Sequence, residues 1–346
     1  MTATATIPDA TRQLIEQLAD PACYPHATGE IRLIETHISW VFLTGPFVYK
    51  LKKPLDLGFL DSTTLEKRRR FCEEEVRFSG RFAPELYLAA VPITGTPAAP
   101  RVAGDGPAIE WAVKLVQFDE ADRLDARFAA GRLSAADCRQ LGEEIAVVET
   151  GLAVARPADP WGTAASIREA AAINLRQLRE ARADQATLIA AIETWLGRRL
   201  DALADAIERR RAAGRVRECH GDLHLANLVW HGGRMTAFDA IEFSPSLRWI
   251  DVANDVAFLT MDLKARGRPD LASHVISGWM EAANDHAAAE VLPLYEVYRA
   301  VVRGAVVALR PGNAAVNRAE TDRYLALAAR LMHRPRPADP DGRSQR

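Results

Sequence analysis

Cysteine is scarce in this chain of 346 residues, with only four copies, at 23, 72, 138 and 219. Their wide spacing matches neither a zinc ligand set nor the disulfide framework of a secreted domain. No apolar run approaches the roughly 20 residues of a membrane-spanning helix. The N-terminal segment also lacks the basic and apolar regions of a secretory signal. The sequence therefore predicts a cytoplasmic protein that does not interact with a membrane.

An excess of either charge is also missing, because 44 Lys and Arg face 46 Asp and Glu. This balance excludes the basic footprint of a nucleic-acid-binding protein, so we expect no nucleic acid as partner. Two phosphate-binding patterns are absent as well: G-x-G-x-x-G and G-x-x-x-x-G-K-[ST]. Hydrophobic residues make up 48% of the chain, which is enough for a large core in two or three domains or in one two-lobed enzyme.

The pattern of residues predicts an α+β fold with two lobes. We expect an N-terminal helical extension over 1–25 and an N-lobe over 26–118, made of an antiparallel sheet and one helix, Leu65–Phe82, capped near Ser62 or Thr63. Ala- and Leu-rich segments predict a helical C-lobe over 119–332, with helices near 134–152, 163–181, 184–213, 250–265, 270–288 and 290–310. A β island at 216–243 interrupts them, and the polar, Pro-rich tail over 333–346 is expected to be disordered.

The densest group of reactive side chains is ECHGDLHLANLVW, at 218–230. A hairpin with a three-residue loop, Gly232 to Arg234, would set Asn227 opposite Asp239 and beside Asp222. Asn and Asp at strand ends often serve only as caps. However, an Asp, an Asn five residues later and a second Asp after a hairpin are typical of phosphotransferases. In that arrangement Asp222 accepts the hydroxyl proton, while Asn227 and Asp239 hold Mg²⁺.

Phosphoryl transfer also needs a cation on the nucleotide phosphates. In FVYK, strand alternation places Val48 and Lys50 on one face, so that Val48 covers a base while Lys50 reaches its phosphates. Lys52 shares this face and is the second candidate. The alternative is an edge strand that lysines protect from aggregation.

The predicted helix offers a partner for this lysine. Phe71, Phe78 and Phe82 form an apolar stripe at helical spacing, and Glu75 lies on the same stripe. A carboxylate on a buried face needs a cation, and Lys50 is the nearest candidate in the pattern. The alternative is a Glu at the margin of the stripe that reaches solvent.

HGDLHLAN followed by FDAIEF, with VYKLKKP and the Glu-bearing helix upstream, resembles the aminoglycoside phosphotransferase-like branch of the protein-kinase-like fold. VYKLKKPLDLGFLD, EKRRRFCEEEVRFSGRFAPELYL and WIDVANDVAFLTMDL resemble one bacterial subgroup within it, over roughly 31–332. Some relatives carry a further P-loop domain, and its motif is absent here, so we expect no second activity. The missing glycine loop is a departure from the kinase pattern, and the residues at 35–39 stand in its place.

The resemblance implies ATP and Mg²⁺ as cofactors and a small molecule with a hydroxyl group as acceptor, without identifying that acceptor or the oligomeric state. It implies that Asp222 is the base, that Asn227 and Asp239 bind metal, and that Lys50 binds phosphates while Glu75 orients it. The implied supporting residues are His220, His224 and Glu242. Asp251 and Asp255 are expected to anchor the loop rather than to react.

Three other functions are compatible with these residues. A metallohydrolase could use His220, Asp222, His224 and Asp239 as ligands, although Asn227, Lys50 and Glu75 would then have no role. A regulatory pseudokinase would bind the nucleotide without turnover. A protein kinase or a nucleotidyl transferase of the same fold would use the same phosphate-binding residues.

Overall fold

The computed structural model describes residues 7–56 and 60–333. The tail that the sequence predicts to be disordered lies, except for His333, outside the described residues. The N-terminal part contains the helix α1 and, after it, three strands, one long helix and three more strands: α1 Asp9–Gln17, β1 Arg32–Glu35, β2 Ser39–Leu43, β3 Phe47–Lys52, α2 Leu65–Phe82, β4 Tyr87–Thr96, β5 Ala99–Val102 and β6 Ala108–Val116. The strands form one antiparallel sheet in the order β1-β2-β3-β6-β4-β5.

Strand β3 has two faces with different neighbours. Tyr49 and Leu51 are buried in a cluster that includes Leu14 of α1. Val48 instead packs against the cluster on the α2 side of the sheet. The predicted alternation along β3 is therefore present. The cap of α2 is Thr64, whose hydroxyl accepts the amide of Lys67 at 3.3 Å, one residue later than the range predicted.

The C-terminal part is mostly helical: α3 Leu124–Ala129, α4 Ala135–Thr150, α5 Ala164–Ala181, α6 Ala186–Ala202, α7 Ala204–Ala212, β7 Val216–Glu218, β8 Leu228–His231, β9 Arg234–Ala237, α8 Pro245–Arg248, β10 Trp249–Asp251, α9 Val252–Ala265, α10 Pro269–Ala282, α11 Leu292–Leu309 and α12 Ala314–Met332. The helix predicted over 184–213 was wrong as a single element, because it breaks at Leu203. Helices α9 and α11 are buried along most of their length and form the centre of this lobe.

The two lobes meet beside the β8–β9 hairpin. Val229 of β8 is fully buried in the same cluster as Val113 and Leu115 of β6. The rings of Phe118, just after β6, and Phe238, just after β9, lie 5.1 Å apart. Beside these contacts the side chains of Asp222 and Asp239 remain partly exposed, and the seam between the lobes at this point is called the cleft. Among the described residues, no helix is both long and apolar enough to cross a bilayer.

Candidate active site

The loop between β7 and β8 is held in place by two of the central helices. Asp255 of α9 accepts the amides of His220 and Gly221, each at 2.9 Å. Arg299 of α11 donates to the carbonyl of Gly221 at 3.0 Å. Gly221 has φ +84°, a left-handed conformation in which an added Cβ would lie 2.8 Å from the carbonyl oxygen of Leu247. Asp255 thus anchors the loop, as its position on the helix predicts.

Both ring nitrogens of His220 are engaged in hydrogen bonds with the protein. Nδ1 accepts the amide of Asp222 at 3.3 Å, which leaves Nε2 to donate to the carbonyl of Phe238 at 2.9 Å. The side chain is fully buried, and this burial lowers the pKa of His220. A neutral imidazole therefore connects the loop to the end of the hairpin.

Asp222 faces the cleft, and 34% of its side chain is exposed. Its Oδ2 accepts the Asn227 amide at 2.9 Å and lies 3.3 Å from Nε2 of His224. Burial alone would raise the pKa of Asp222, but His224 and the guanidinium of Arg303 outweigh it and hold the pKa below its usual range. The carboxylate is therefore ionised and able to accept a hydrogen bond from a hydroxyl group.

The hairpin register predicted from the sequence was wrong by one residue. Trp230 pairs with Met235 and His231 with Arg234, so the loop contains only Gly232 and Gly233. Both glycines have positive φ, at 59° and 82°, which is the geometry of a type I′ turn. Along this register the carbonyl of Asn227 accepts the amide of Phe238, at 2.9 Å, rather than facing Asp239.

Asp239 reaches the cleft by another route. It follows the hairpin with φ 63°, an uncommon conformation for a residue with a side chain, and its amide donates to the hydroxyl of Tyr87 at 2.9 Å. Its carboxylate forms an ion pair with Lys50 of the other lobe. Lys50 outweighs the effect of burial and lowers the pKa of Asp239. In this left-handed conformation Asp239 presents a charged oxygen to Lys50 at the cleft.

Glu75 receives both lysines of strand β3. Its side chain is fully buried, and its two oxygens lie 2.9 Å from Lys50 Nζ and 2.5 Å from Lys52 Nζ. Lys52 also pairs with Glu242. The pairing of Glu75 with Lys50 that the apolar stripe predicts is present, and Lys52 joins it as a second cation.

The two lysines differ in access to the cleft. The side chain of Lys52 is 3% exposed, whereas that of Lys50 is 13% exposed and contacts Asp239 at the cleft. Each lysine forms two ion pairs, but Lys52 pairs with the buried Glu75 and Glu242, whereas the second partner of Lys50 is Asp239, whose side chain is 47% exposed. Glu242 likewise lies against Lys52, with its side chain 5% exposed. Of the two candidates, Lys50 is the one whose amine lies at the cleft.

The turn between β1 and β2 covers this end of the sheet without a glycine. Thr36 accepts the amide of Ser39 through its hydroxyl at 2.9 Å and donates to the Ser39 carbonyl at 3.0 Å. Lys53 donates to Glu35 and to the carbonyl of Thr36, each at 2.6 Å. The turn is thus braced by the side chains of Thr36 and of Lys53, which follows β3, where a glycine loop would rely on backbone freedom.

Four residues in or behind the site were missed by the sequence reasoning. Tyr87 accepts the amide of Asp239, and Ser79 accepts the amide of Ala240 at 3.1 Å, so both hold the chain that follows the hairpin. Asp262 accepts the amide of Leu225 at 3.2 Å, and Arg303 lies near Asp222. In the sequence, each of these residues is marked only as a polar residue on the apolar face of a helix or strand. This pattern is weak, because the element that packs against that face is not known from the sequence.

The donor atoms at the cleft are compatible with magnesium. The Asn227 amide nitrogen donates to the carboxylate and to the carbonyl of Asp222, which leaves the amide oxygen for a cation. Asp239 contributes a carboxylate whose side chain is 47% exposed. Two hard oxygen donors with open positions for water and phosphate are the set that Mg²⁺ prefers. A metal ion bound to Asp239 would share this carboxylate with the Lys50 amine, which contacts Oδ1.

A transition-metal site at the cleft fits the contacts less well. His220 uses both ring nitrogens inside the protein and has no lone pair free for a metal. Among the described residues, the one group of three His, Cys, Asp or Glu with converging ligand atoms is Glu149, Cys219 and Asp255. That group is buried behind the loop, where Asp255 already accepts two amides. These contacts argue against the metallohydrolase hypothesis.

A small antiparallel sheet lobe, a helical lobe and a polar loop between them define the class of two-lobed kinase-like folds. Comparison with protein families places the chain further: residues 65–303 match the phosphotransferase enzyme family. This match covers more than half of the chain, so the protein belongs to that family. The expected resemblance and the expected fold class are therefore confirmed.

Similar sequences and structures agree with this placement. A protein of Mycobacterium tuberculosis and its counterpart in Mycobacterium bovis are 29% identical over 302 residues. The match covers 84% of this chain and 58% of theirs, so the chain spans little more than half the length of these relatives.

Among solved structures, the chain resembles a choline/ethanolamine kinase family protein from Mesorhizobium loti (TM-score 0.53, 14% identity, 94% of this chain and 96% of that one). It resembles a choline kinase from Cryptosporidium parvum to a similar degree (TM-score 0.54, 12% identity, 94% and 96% of the two chains). An amicoumacin kinase in complex with AMP-PNP and Ca²⁺ is a third neighbour (TM-score 0.53, 13% identity, 93% and 94%). At these identities the likeness establishes the fold alone.

Proposed function

We propose that this protein is an ATP-dependent phosphotransferase that phosphorylates a hydroxyl group of a small molecule. The observation that carries the proposal is the ion pair of Lys50 with Asp239 across the two lobes, near Asp222 and its hydrogen-bond partner Asn227, since the charge of Asp222 acts on Asp239. An ionised carboxylate, two oxygen ligands and an amine at one cleft are the groups that phosphoryl transfer requires. Family membership supports the same reaction class.

Asp222 is the proposed base. Its lowered pKa keeps the carboxylate charged, and Asn227 and His224 occupy one oxygen, so that its orientation is fixed. A hydroxyl group placed at the exposed edge would donate to Asp222 and be aligned toward the phosphate. Such positioning accounts for much of the rate in phosphoryl transfer, because the transition state contains little covalent chemistry for the protein.

Lys50 is the proposed phosphate ligand, and Glu75 directs it. The 2.9 Å contact between Lys50 and Glu75 aims the amine at the cleft, while Lys52 supplies the second charge that Glu75 needs in its buried position. Mg²⁺ held by Asn227 and Asp239 would neutralise negative charge on the phosphates. Glu242 acts in this scheme only through Lys52, as a structural partner.

The base of ATP is proposed to lie under the small lobe, against Val48 and the rings of Phe118 and Phe238. The segment after β6 would supply backbone contacts. The amides of Val116 and Gln117 already donate to Leu86 and Pro46, at 2.8 and 3.1 Å. The Phe118 amide is therefore the proposed donor to the base. The AMP-PNP complex of the amicoumacin kinase, which shares the fold, supports a triphosphate as ligand.

Asp222→Asn tests the proposal. The variant preserves the shape and the Asn227 contact but removes the charge, so we expect turnover to fall by roughly 10²–10⁴-fold with ATP affinity nearly unchanged. ATP consumption would be screened against hydroxylated metabolites and aminoglycosides, with ATP affinity measured by calorimetry. Undiminished turnover in this variant would overturn the assignment of Asp222. ATP binding without turnover of any acceptor in the wild type would instead favour the pseudokinase hypothesis.

A further inference from the structure

The segment over 238–241, directly after strand β9, is held by both lobes through four successive amides. The amide of Phe238 donates to the carbonyl of Asn227 at 2.9 Å. The amide of Ile241 donates to the carbonyl of His220 at 3.0 Å. These two outer hydrogen bonds tie the segment to the loop of the helical lobe. The two amides between them donate instead to side chains of the small lobe.

The acceptors of the two inner amides are hydroxyl groups. Asp239 donates to Tyr87 of β4 at 2.9 Å, and Ala240 donates to Ser79 of α2 at 3.1 Å. The hydroxyls of Tyr87 and Ser79 also form a hydrogen bond with each other. Both residues are buried. Together they form a clamp on the backbone of Asp239, and we call this pair the Tyr87–Ser79 clamp.

The clamp acts on a backbone conformation that Asp239 does not favour by itself. Its φ of 63° is left-handed, and a residue with a Cβ keeps such a conformation only where surrounding contacts impose it. The ring of Tyr87 is held in turn by the buried cluster that also contains Val113 and Val229. Burial raises the pKa of the Tyr87 hydroxyl, so this group stays neutral. A neutral oxygen at a fixed position therefore accepts the Asp239 amide.

We propose that Tyr87 is a positioning residue for magnesium, which acts through the backbone of Asp239 and is supported by Ser79. The inference rests on the proposed function, in which Asp239 is a metal ligand. Because the amide and the carboxylate belong to one residue, the bond to Tyr87 limits the positions that the carboxylate can take beside Lys50. Replacing a residue that orients a metal ligand without touching the metal typically costs roughly 10- to 100-fold in metal affinity.

The experiment compares Tyr87→Phe with a matched control, Tyr49→Phe. Tyr49 is also buried, on the opposite face of the same sheet, and within the described part of the chain its hydroxyl has no hydrogen-bond partner. Calorimetry measures the binding of AMP-PNP without magnesium and over a series of magnesium concentrations. Both substitutions are repeated in the Asp239→Asn background, because two residues that act as a unit have non-additive effects. Thermal unfolding verifies that each variant is folded.

We expect Tyr87→Phe to lower the affinity for magnesium in the presence of AMP-PNP by roughly 10- to 100-fold and to leave the binding of AMP-PNP without the metal nearly unchanged. Tyr49→Phe should match the wild type. In the Asp239→Asn background, Tyr87→Phe should cause no further loss of magnesium affinity. Ser79→Ala, which removes the other hydroxyl of the clamp, should weaken magnesium binding in the same direction and decides by the same criteria if Tyr87→Phe does not fold.

Three results would overturn the inference and leave the phosphotransferase proposal intact. The first is wild-type magnesium affinity in folded Tyr87→Phe. The second is an equal loss with and without magnesium, which indicates a merely structural role. The third is an equal loss of magnesium affinity in the Asp239→Asn background, since Tyr87 would then act by another route. If magnesium does not strengthen AMP-PNP binding even in the wild type, the proposed metal site is wrong and the inference fails with it.

Discussion

Lys50 and Asp239 form an ion pair that joins the two lobes across the cleft. Lys50 is the proposed ligand of the nucleotide phosphates and Asp239 that of magnesium. Before the ligands bind, these two groups are paired with each other. Magnesium must therefore compete with an amine for Asp239, and phosphate must compete with a carboxylate for Lys50.

This competition predicts opposite effects of Asp239→Asn with and without the metal. Loss of the carboxylate removes a metal ligand. The factor by which magnesium increases ATP affinity should therefore be roughly 10- to 100-fold smaller in the variant than in the wild type. Binding of ATP without magnesium should be unchanged or tighter, because Lys50 has lost its competitor. Calorimetry with and without magnesium measures both effects, and Asp201→Asn, 75% exposed, is the matched control. Equal weakening under both conditions would contradict the metal role.

Lys52→Met separates a structural lysine from a phosphate-binding one. The substitution leaves Glu75 and Glu242 buried with one cation fewer, and removal of one partner of a buried pair costs about 3–5 kcal/mol of unfolding free energy. Lys67→Met removes a lysine that is 45% exposed and pairs with Asp61, and should cost less than about 1 kcal/mol. Urea denaturation measures both. Normal stability of Lys52→Met combined with lost ATP affinity would show that Lys52, rather than Lys50, serves the phosphates.

Glu149 of α4 predicts a dependence of stability on pH. Burial raises the pKa of Glu149 well above its ordinary value, and Trp279 donates to one of its oxygens at 2.6 Å. The unfolded chain releases this proton above about pH 4.5, whereas the folded protein retains it, so the unfolding free energy falls as the pH rises toward the raised pKa. The slope for one group is at most about 1.4 kcal/mol per pH unit.

Glu149→Gln should remove this component, because an amide has the shape of the neutral acid and can still accept from Trp279. Relative to the wild type, the unfolding free energy of the variant should rise as the pH increases above the pKa of Glu149 in the unfolded chain. Glu143→Gln on the same helix, 46% exposed, is the control and should leave the slope unchanged. Denaturation curves over a series of pH values measure the slopes. Parallel curves for wild type and Glu149→Gln would contradict a retained proton.

Gly221→Ala tests how tightly the loop that carries Asp222 is packed. Gly221 and Gly267 have nearly equal φ values of 84° and 82°, so a side chain adds similar backbone strain at both, about 1–2 kcal/mol. Only at Gly221 would the new Cβ meet a neighbour, the Leu247 carbonyl at 2.8 Å, whereas nothing lies within 4 Å at Gly267. We expect Gly221→Ala to lose at least about 1 kcal/mol more and to lose activity. Equal losses in chemical denaturation would show that the loop can shift.

The sequence alone was sufficient for the local elements that carry the site. Alternation along FVYKLK predicts which side chains share a face of β3, and the stripe on α2 predicts that Glu75 is buried. The order of Asp222, Asn227 and Asp239 predicts the reaction class. Such patterns are local: they depend on the period of one strand or helix, which a chain displays without its partners.

The hairpin register illustrates a limit of this reasoning. The two possible loops differ by one residue, and the backbone conformation of Gly232 and Gly233 decides between them. Both glycines adopt positive φ, which permits the tight two-residue turn, and the shift moves Asp239 out of the pairing with Asn227. Glycine allows several turns, so its identity predicts a turn without predicting the length.

Long-range contacts settled what remained. Lys50 and Lys52 share a face of the strand, and they differ because the other lobe sets the exposed Asp239 against Lys50 and the buried Glu242 against Lys52. Arg303 is one of several arginines in a helical pattern, and its place beside Asp222 follows from the packing of α11 against the loop. The sequence by itself determined the kinds of groups that the cleft contains and the elements that carry them. Only the tertiary structure decided which charges are paired, because pairing depends on distances between residues far apart in the chain.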